Sequence, residues 1–464
     1  MPPQATTLKY REALLTGWGR TAPTRAKLFK PHNLDQLQSI VACRNERGLI
    51  ARGLGRSYGD PAQNAGGHVI DMTGLAGVHA VDLAAGVVEV DAGLSLHRLM
   101  QLFVPLGLFV PVTPGTRYVT VGGAIASDIH GKNHHYDGTF GRHVLRMRIL
   151  TTSGEILEAT PETNADLFRA TCGGMGLTGF ILSARLRMIK IETSAMLVDT
   201  TRVANLDDLM ARMVDEDERY RYSVAWVDTL ARGRKLGRGV LYRANHAPAS
   251  SLDRKAAREP LSGPRASLVT IPDVFPPGLI NPRTTALFNE VWFRRHPADE
   301  RGRPQQLSAF FHQLDMVEGS NRLYGTAGFV QHQCVVPDGE EATLRWLLER
   351  FSERRVPASL VVLKRMGPAN GLLSFPLKGW TLAVDIPANW DGLADLLDDL
   401  DERIVAVGGR LYLAKDSRMR PEYLPAMYPD LPRWREIADR YDPERRLMSD
   451  LARRLQLRGP ESGG

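Results

Sequence analysis

Arg52-Gly-Leu-Gly-Arg-Ser-Tyr-Gly-Asp60 follows directly on the apolar run Leu49-Ile50-Ala51. The run reads as a strand, and the glycines as a turn that opens from its end. Such turns let backbone approach a phosphate-bearing ligand closely. Similar turns recur at Pro114-Gly115-Thr116, Thr120-Val121-Gly122-Gly123, His130-Gly131 and Gly174-Met-Gly-Leu-Thr-Gly179. A dinucleotide is the obvious candidate, and spacing tells how it would be held. Gly53, Gly55 and Gly59 are one residue too wide for G-x-G-x-x-G. Gly174, Gly176 and Gly179 fit that spacing, but they follow a helix and precede a strand, the reverse of what the fingerprint needs. No helix N-terminus follows to hold a pyrophosphate. The G-x-x-x-x-G-K-[ST] motif is absent. The sequence argues against a Rossmann or P-loop site.

Outward from this stretch, the first 190 or so residues alternate short strands, helices and glycine turns. Asn33 with Gln36 predicts a capping box ahead of the stripe Leu34, Leu37, Ile40 and Val41. Val69–Met72 and Val87–Val90 predict strands, and Ser95 predicts the cap of a helix carrying Leu96, Leu99, Met100 and Phe103. Ile149-Leu150 and Ile156-Leu157 flank Ser153-Gly154, a hairpin signal. From about residue 194 glycine thins out and the patterns lengthen. Strands are expected at 329–336, 360–363 and 381–386, and helices at 340–354 and 391–406. Residues 267–305 place Pro272, Pro276, Pro277 and Pro282 among Leu, Ile, Phe and Trp with no evident period. Such a segment predicts a lid or binding loop.

The 464 residues suit two or three domains. Hydrophobic residues are 43% and charged residues 24%, which excludes a disordered or coiled-coil chain. The formal charge of +7 suits an anionic partner without naming one. No nucleic-acid motif or Lys/Arg-rich block accompanies it, so nucleic-acid binding is not expected. Cys43, Cys172 and Cys334 are odd in number and far apart, which argues against a disulfide framework or a cysteine zinc site. No metal is expected: His130 and His134 are four apart, but no third ligand completes a set. The apolar stretch 99–112 is too short to span a bilayer, and the first residues lack a secretory apolar run.

Taken together, the turns at 52–60, 114–116, 120–123, 130–131 and 174–179 resemble the FAD domain of the vanillyl-alcohol-oxidase type of flavoenzymes. The resemblance implies an α+β fold of two domains. An FAD-binding, PCMH-type domain would cover 5–193. An antiparallel-sheet substrate domain would cover 194–409, with a lid at 267–305. Residues 410–464 would return to the FAD domain, where Trp434 and Tyr441-Asp442-Pro443 also fit. Thr16-Gly-Trp-Gly-Arg20, Val121–His135, Asp273-Val-Phe-Pro276, Ala414-Lys-Asp-Ser-Arg418 and Ser449-Asp450 look like the decaprenylphosphoryl-ribose oxidase branch of that family. The likeness runs over roughly residues 14–457.

That resemblance implies a hydride transfer from the ribose 2-carbon of a polyprenylphosphoryl ribose to FAD, giving the 2-keto sugar. A separate NAD(P)H-dependent short-chain reductase would complete the epimerisation that supplies arabinose to cell-wall arabinan. It also implies an enzyme peripheral to the inner membrane or cell envelope. For the cofactor it assigns Ala51, Arg52, Gly53, Leu54, Gly55, Arg56, Ser57, Tyr58, Gly59, Asp60 and Pro61. It adds Gly115, Thr120, Val121, Gly122, Gly123, Ser127, Asp128, Ile129, His130, Ile181 and Tyr412. Lys415, His130 and Tyr58 would serve catalysis. Lys415 would steady a developing alkoxide or bind the single phosphate. His130 would take the hydroxyl proton. Lys132, Tyr324, Gln331, Gln333, Thr381 and Lys415 would meet the substrate.

Three departures carry information. Tyr58 stands where many relatives place a histidine bonded to the flavin, so non-covalent FAD is expected. Ala383 stands where mycobacterial members carry a cysteine attacked by nitroaromatic inhibitors, so no such adduct is expected. Thr381 replaces a family asparagine. The competing reading is a soluble sugar or aldonolactone oxidase using oxygen, which shares the flavin loops and needs no lid for a lipid.

Overall fold

The computed structural model describes residues 9–263, 269–276 and 278–459. Three main sheets organise it. The first has four strands in the order Arg11–Leu15, Thr24–Phe29, His68–Asp71, Leu49–Arg52. Its last three strands run parallel, so Leu49–Arg52 delivers the chain directly into the glycine turn. The second sheet is antiparallel, in the order Val78–Asp82, Val87–Asp91, Phe180–Arg187, Val144–Leu150, Ile156–Ala159.

The third sheet is antiparallel with eight strands. Its order is Asp299–Gln306, Ala195–Val203, Gly239–His246, Tyr222–Val227, Val361–Met366, Gly379–Pro387, Phe329–Pro337, Arg410–Leu411. Alternation gives this sheet two faces. Val361 and Leu363 join the core that Leu344, Leu347 and Phe351 of helix Glu341–Glu353 also enter. Val362 and Lys364, between them, face a cavity on the other side. Helix Leu393–Ala406 adds Leu396, Leu397 and Leu400 to the same core.

The chain's last described segment runs back to the first sheet. Leu49 N–H donates to the Arg446 carbonyl, and Met448 N–H to the Leu49 carbonyl. Trp434 Nε1 donates to the Ala170 carbonyl at 2.9 Å. The buried Asp442 carboxylate accepts from the Leu447 amide and from Arg458.

Two expectations are corrected. Asn33 does cap its helix by accepting from the Gln36 amide, but Gln36 Oε1 reaches back to the His32 amide, not to Asn33. The segment 267–305 is not a structureless loop; residues 267, 268 and 277 lie outside the described residues. Pro282–Arg295 is a helix, and Asp299–Gln306 is the sheet's edge strand. The local reason is a capping box at Asn281 and Thr284, with Pro282 at the first helical position. Pro282, read as a loop marker, instead stands at the helix start.

Candidate active site

A cavity of about 550 Å³ lies between the glycine turns and the eight-stranded sheet. Backbone forms one wall. Residues 51–58, 113–116, 118–120 and 122–123 line it. The N–H groups of Leu54, Gly55, Arg56 and Ser57 donate to no other described group. A row of unpartnered amides beside a cavity is an anion cradle. Gly55 has φ +64°, and a Cβ there would sit 2.3 Å from the Arg52 guanidinium. That guanidinium donates to the carbonyls of Ala62 and Thr16 at 2.9 and 2.8 Å, which braces the turn. Arg56 lies 4.0 Å over the Trp18 ring.

Side chains form the other wall. Gln331, Gln333, Ala383, Val362 and Lys364 project from three adjacent strands, and Lys132 and Lys415 from flanking loops. Lys415 Nζ lies 3.6 Å from the centre of the Tyr58 ring. Lys132 donates to the Phe310 carbonyl and lies over the Phe310 ring. Burial pushes the Lys132 ammonium down to about 7 and that of Lys364 down to about 8. Lys415 is lowered by burial and by Lys364, against the pull of Asp385. Asp385 is raised by its own burial, and it accepts from Gln331 Nε2 at 2.5 Å. Lys132, Lys364 and Lys415 thus line the cavity together, and Asp385 acts on Lys415. A cluster of lysines in one cavity suits an anion.

Gln333 fixes the state of His130. Thr381 Oγ1 donates to the Cys334 carbonyl and accepts from Gln333 Nε2 at 3.1 Å. The other amide hydrogen goes to His130 Nε2 at 2.9 Å, which leaves the ring proton on Nδ1. That Nδ1 is buried and unpartnered. Burial first, then Lys364, His134 and Lys415, holds His130 neutral. One ring nitrogen is taken and the other enclosed, so the proton-acceptor role expected of His130 does not fit this geometry.

Other expectations divide by face. Ala51, Arg52, Gly53, Leu54, Gly55, Arg56, Ser57, Tyr58, Pro61, Gly115, Thr120, Gly122, Gly123, Ser127, Ile129, Ile181 and Tyr412 line the cavity. Gly59, Asp60, Val121 and Asp128 do not. Gly59 packs so closely that a Cβ would lie 1.9 Å from the Asp416 carbonyl. Asp60 pairs with Arg454 at 2.8 Å, and Arg454 also holds Asp416. Val121 is core. Asp128 is buried and accepts from the Gly141 amide and Ser374. Tyr324 stacks on Phe329 at 4.2 Å, and Thr381 lies behind Gln333; neither reaches the cavity. These residues set the shape of the wall from behind.

Lys364 and Asp385 were not anticipated. Each is a charged residue inside an apolar strand, VVLKRM or WTLAVDIP, and that mismatch is the signal that could have found them. Asp315 and Val317–Ser320, which also line the cavity, carry no such signal.

Residues 26–160 match the FAD binding domain family. Over 449 residues the chain is 45% identical to the decaprenylphosphoryl-β-D-ribose oxidase of Mycolicibacterium smegmatis, covering 96% of this chain and 97% of that one. The chain belongs to the decaprenylphosphoryl-β-D-ribose oxidase family. It is also 43% identical over 374 residues to an uncharacterized protein of Streptomyces coelicolor, covering 78% of this chain and all of that one. To the L-gulonolactone oxidase of Bos taurus it is 28% identical over 184 residues, 39% of this chain and 41% of that one. This member of the oxidase family is an FAD-dependent oxidoreductase of α+β fold. Its amide row and glycine cradle fit the pyrophosphate of that cofactor without a Rossmann helix.

Proposed function

We propose that the protein oxidises the ribose 2-hydroxyl of decaprenylphosphoryl-β-D-ribofuranose to the 2-keto sugar, the first half of epimerisation to the arabinose donor of cell-wall arabinan. The observation that carries this reading is the end-to-end likeness to the M. smegmatis oxidase. The lysine cluster supplies matching chemistry. Bound FAD supplies the hydride acceptor. The amides of residues 54–57 would hold its pyrophosphate. Lys132 and Lys364 hold the substrate phosphate. Gln331 and Gln333 orient the sugar hydroxyls. Lys415, with its ammonium form weakened by burial, accepts the 2-hydroxyl proton as the hydride leaves. Tyr58 gives that lysine an aromatic face to rest on.

The 2-keto product needs a second hydride from the other side, so an NAD(P)H-dependent short-chain reductase is the expected partner. A prenyl tail makes work at the inner membrane or cell envelope the natural setting. No helix among the described residues is long and apolar enough to cross a bilayer, so contact would be peripheral. FAD is held non-covalently in this reading, because Tyr58 offers no histidyl link and His130 Nε2 is engaged by Gln333.

Anaerobic addition of the prenylphosphoryl ribose should bleach the flavin's visible absorbance. A flavin that stays oxidised sinks the substrate assignment. Turnover on free aldonolactones with rapid reoxidation by oxygen would support the soluble-oxidase alternative. Denaturing precipitation should leave the yellow colour in the supernatant.

A further inference from the structure

The helix Pro282–Arg295 is polar inside and apolar outside. Its inward face carries Thr285 and Asn289, both buried, and Asn289 Nδ2 donates to Asp228 at 2.7 Å. Glu290 pairs with Arg238, which also lies over the Phe293 ring. Its outward face carries Leu287, Phe288 and Val291, which are 69%, 44% and 58% exposed. Leu287 and Val291 are one turn apart and form a stripe with Phe288. A helix on a water-facing surface has the opposite arrangement. The anomaly is concentrated: among the described residues, five of the fifteen exposed large apolar side chains fall between Val274 and Val291, with Val274 74% and Leu279 42% exposed.

Charge says what covers this face. The two carboxylates described between residues 269 and 295 are both paired, Asp273 with Arg20 and Glu290 with Arg238 and Arg294. Arg283 and Arg295 have no carboxylate partner among the described residues, and Arg295 lies 4.9 Å over the Trp292 ring. An apolar stripe flanked by unpaired arginines and a tryptophan is the pattern of a helix lying in an anionic membrane surface. The stretch just upstream of this face is joined to the cavity rim. Ile271 N–H donates to the Glu318 carbonyl, Arg322 donates to the Ile271 carbonyl, and Val317–Ser320 line the cavity.

We propose that the outward face of Pro282–Arg295, together with Val274 and Leu279, docks on an anionic lipid bilayer and sets the cavity rim against the surface from which a lipid-linked substrate is drawn. The role in substrate delivery rests on the proposed substrate; the docking itself does not. The test is sedimentation of the FAD-loaded protein with vesicles of phosphatidylcholine, alone or mixed with phosphatidylglycerol. The protein should partition to the mixed vesicles, and added salt should weaken that binding. Leu287→Glu with Val291→Glu should lower partitioning by about tenfold or more. Arg283→Gln with Arg295→Gln should lower it by a smaller factor. Both variants alter exposed side chains away from the cavity, so flavin content and bleaching by substrate dispersed in detergent should be unchanged. Absence of vesicle binding, or binding indifferent to both variants, overturns the proposal. A dimer that the Leu287/Val291 variant dissolves, without vesicle binding, assigns the face to a second copy and also overturns it. Failure to bleach in detergent with intact vesicle binding would instead remove the substrate reading and leave the docking surface standing.

Discussion

The two walls of the cavity are built by opposite means. The glycine turns present backbone: amides with no partner among the described residues, in a turn that the missing Cβ of Gly55 lets close up. The sheet presents side chains: Gln331, Gln333 and Lys364 set on strands whose other face is core, with Lys132 and Lys415 added from flanking loops. A backbone wall is insensitive to most side-chain changes and intolerant of volume. A side-chain wall tolerates volume at its margins, and its chemistry depends on single groups. The two meet at one point, where Tyr58 N–H donates to the Ala414 carbonyl and Lys415 lies on the Tyr58 ring.

The largest effect should come from that meeting point. Lys415→Met should cut kcat by about a thousandfold, at the upper part of the range for proton transfer and alkoxide stabilisation, while flavin content stays normal. A loss under about tenfold would place the proton elsewhere. Gly59→Val should break the other wall without touching the cavity. The Asp416 carbonyl stands 1.9 Å from the new Cβ, so loss of bound FAD and a stability loss of about 3 kcal/mol are expected, read by absorbance and thermal melting.

Lys364→Met should split function from stability. In the folded protein this lysine titrates at about 8, below its ordinary value of 10.5. Its charged form therefore opposes folding below about pH 8, and the penalty fades as pH rises toward 10.5. The variant apoprotein should be more stable near neutral pH by roughly 1–3 kcal/mol, while KM for the phosphorylated substrate rises about tenfold. In the wild type, KM should climb as pH passes through 7 to 8, where Lys132 and Lys364 lose charge. A flat KM over that window would remove both lysines from phosphate binding.

Thr381→Val should act only through Gln333, raising KM by roughly threefold with kcat nearly constant. The smallest effect belongs to Ala383→Cys, on the wall yet outside the proposed chemistry, where kcat should stay within about twofold. Intact-mass measurement should find no nitroaromatic adduct on the wild-type protein.

Much of the first wall was legible in the sequence, because glycine clusters report a backbone requirement directly. GLGRSYGD announced a close approach before any coordinate was known. What remained hidden there was direction: Gly59 and Asp60 belong to the same motif as Gly55, yet they turn toward Asp416 and Arg454. The second wall was legible only in part. Alternation put Gln331 and Gln333 on one face, but it could not say that Thr381 would lie behind them. Nor could it say that Gln333 would occupy the nitrogen on which the His130 role depended. The helix Pro282–Arg295 was not legible because prolines crowd its approach and Trp292 and Phe293 widen the apolar arc beyond the stripe of Leu287 and Val291.

By itself the sequence determined the local geometry: where strands end in glycine turns, where helices are capped, and that no Rossmann fingerprint is present. These follow from backbone sterics and spacing, which act over a few residues. Only the tertiary structure decided which charges share a site. Lys132, Lys364, Asp385 and Lys415 come from separate segments, and their unusual ionisation arises from common burial, a property that no one of those segments has alone.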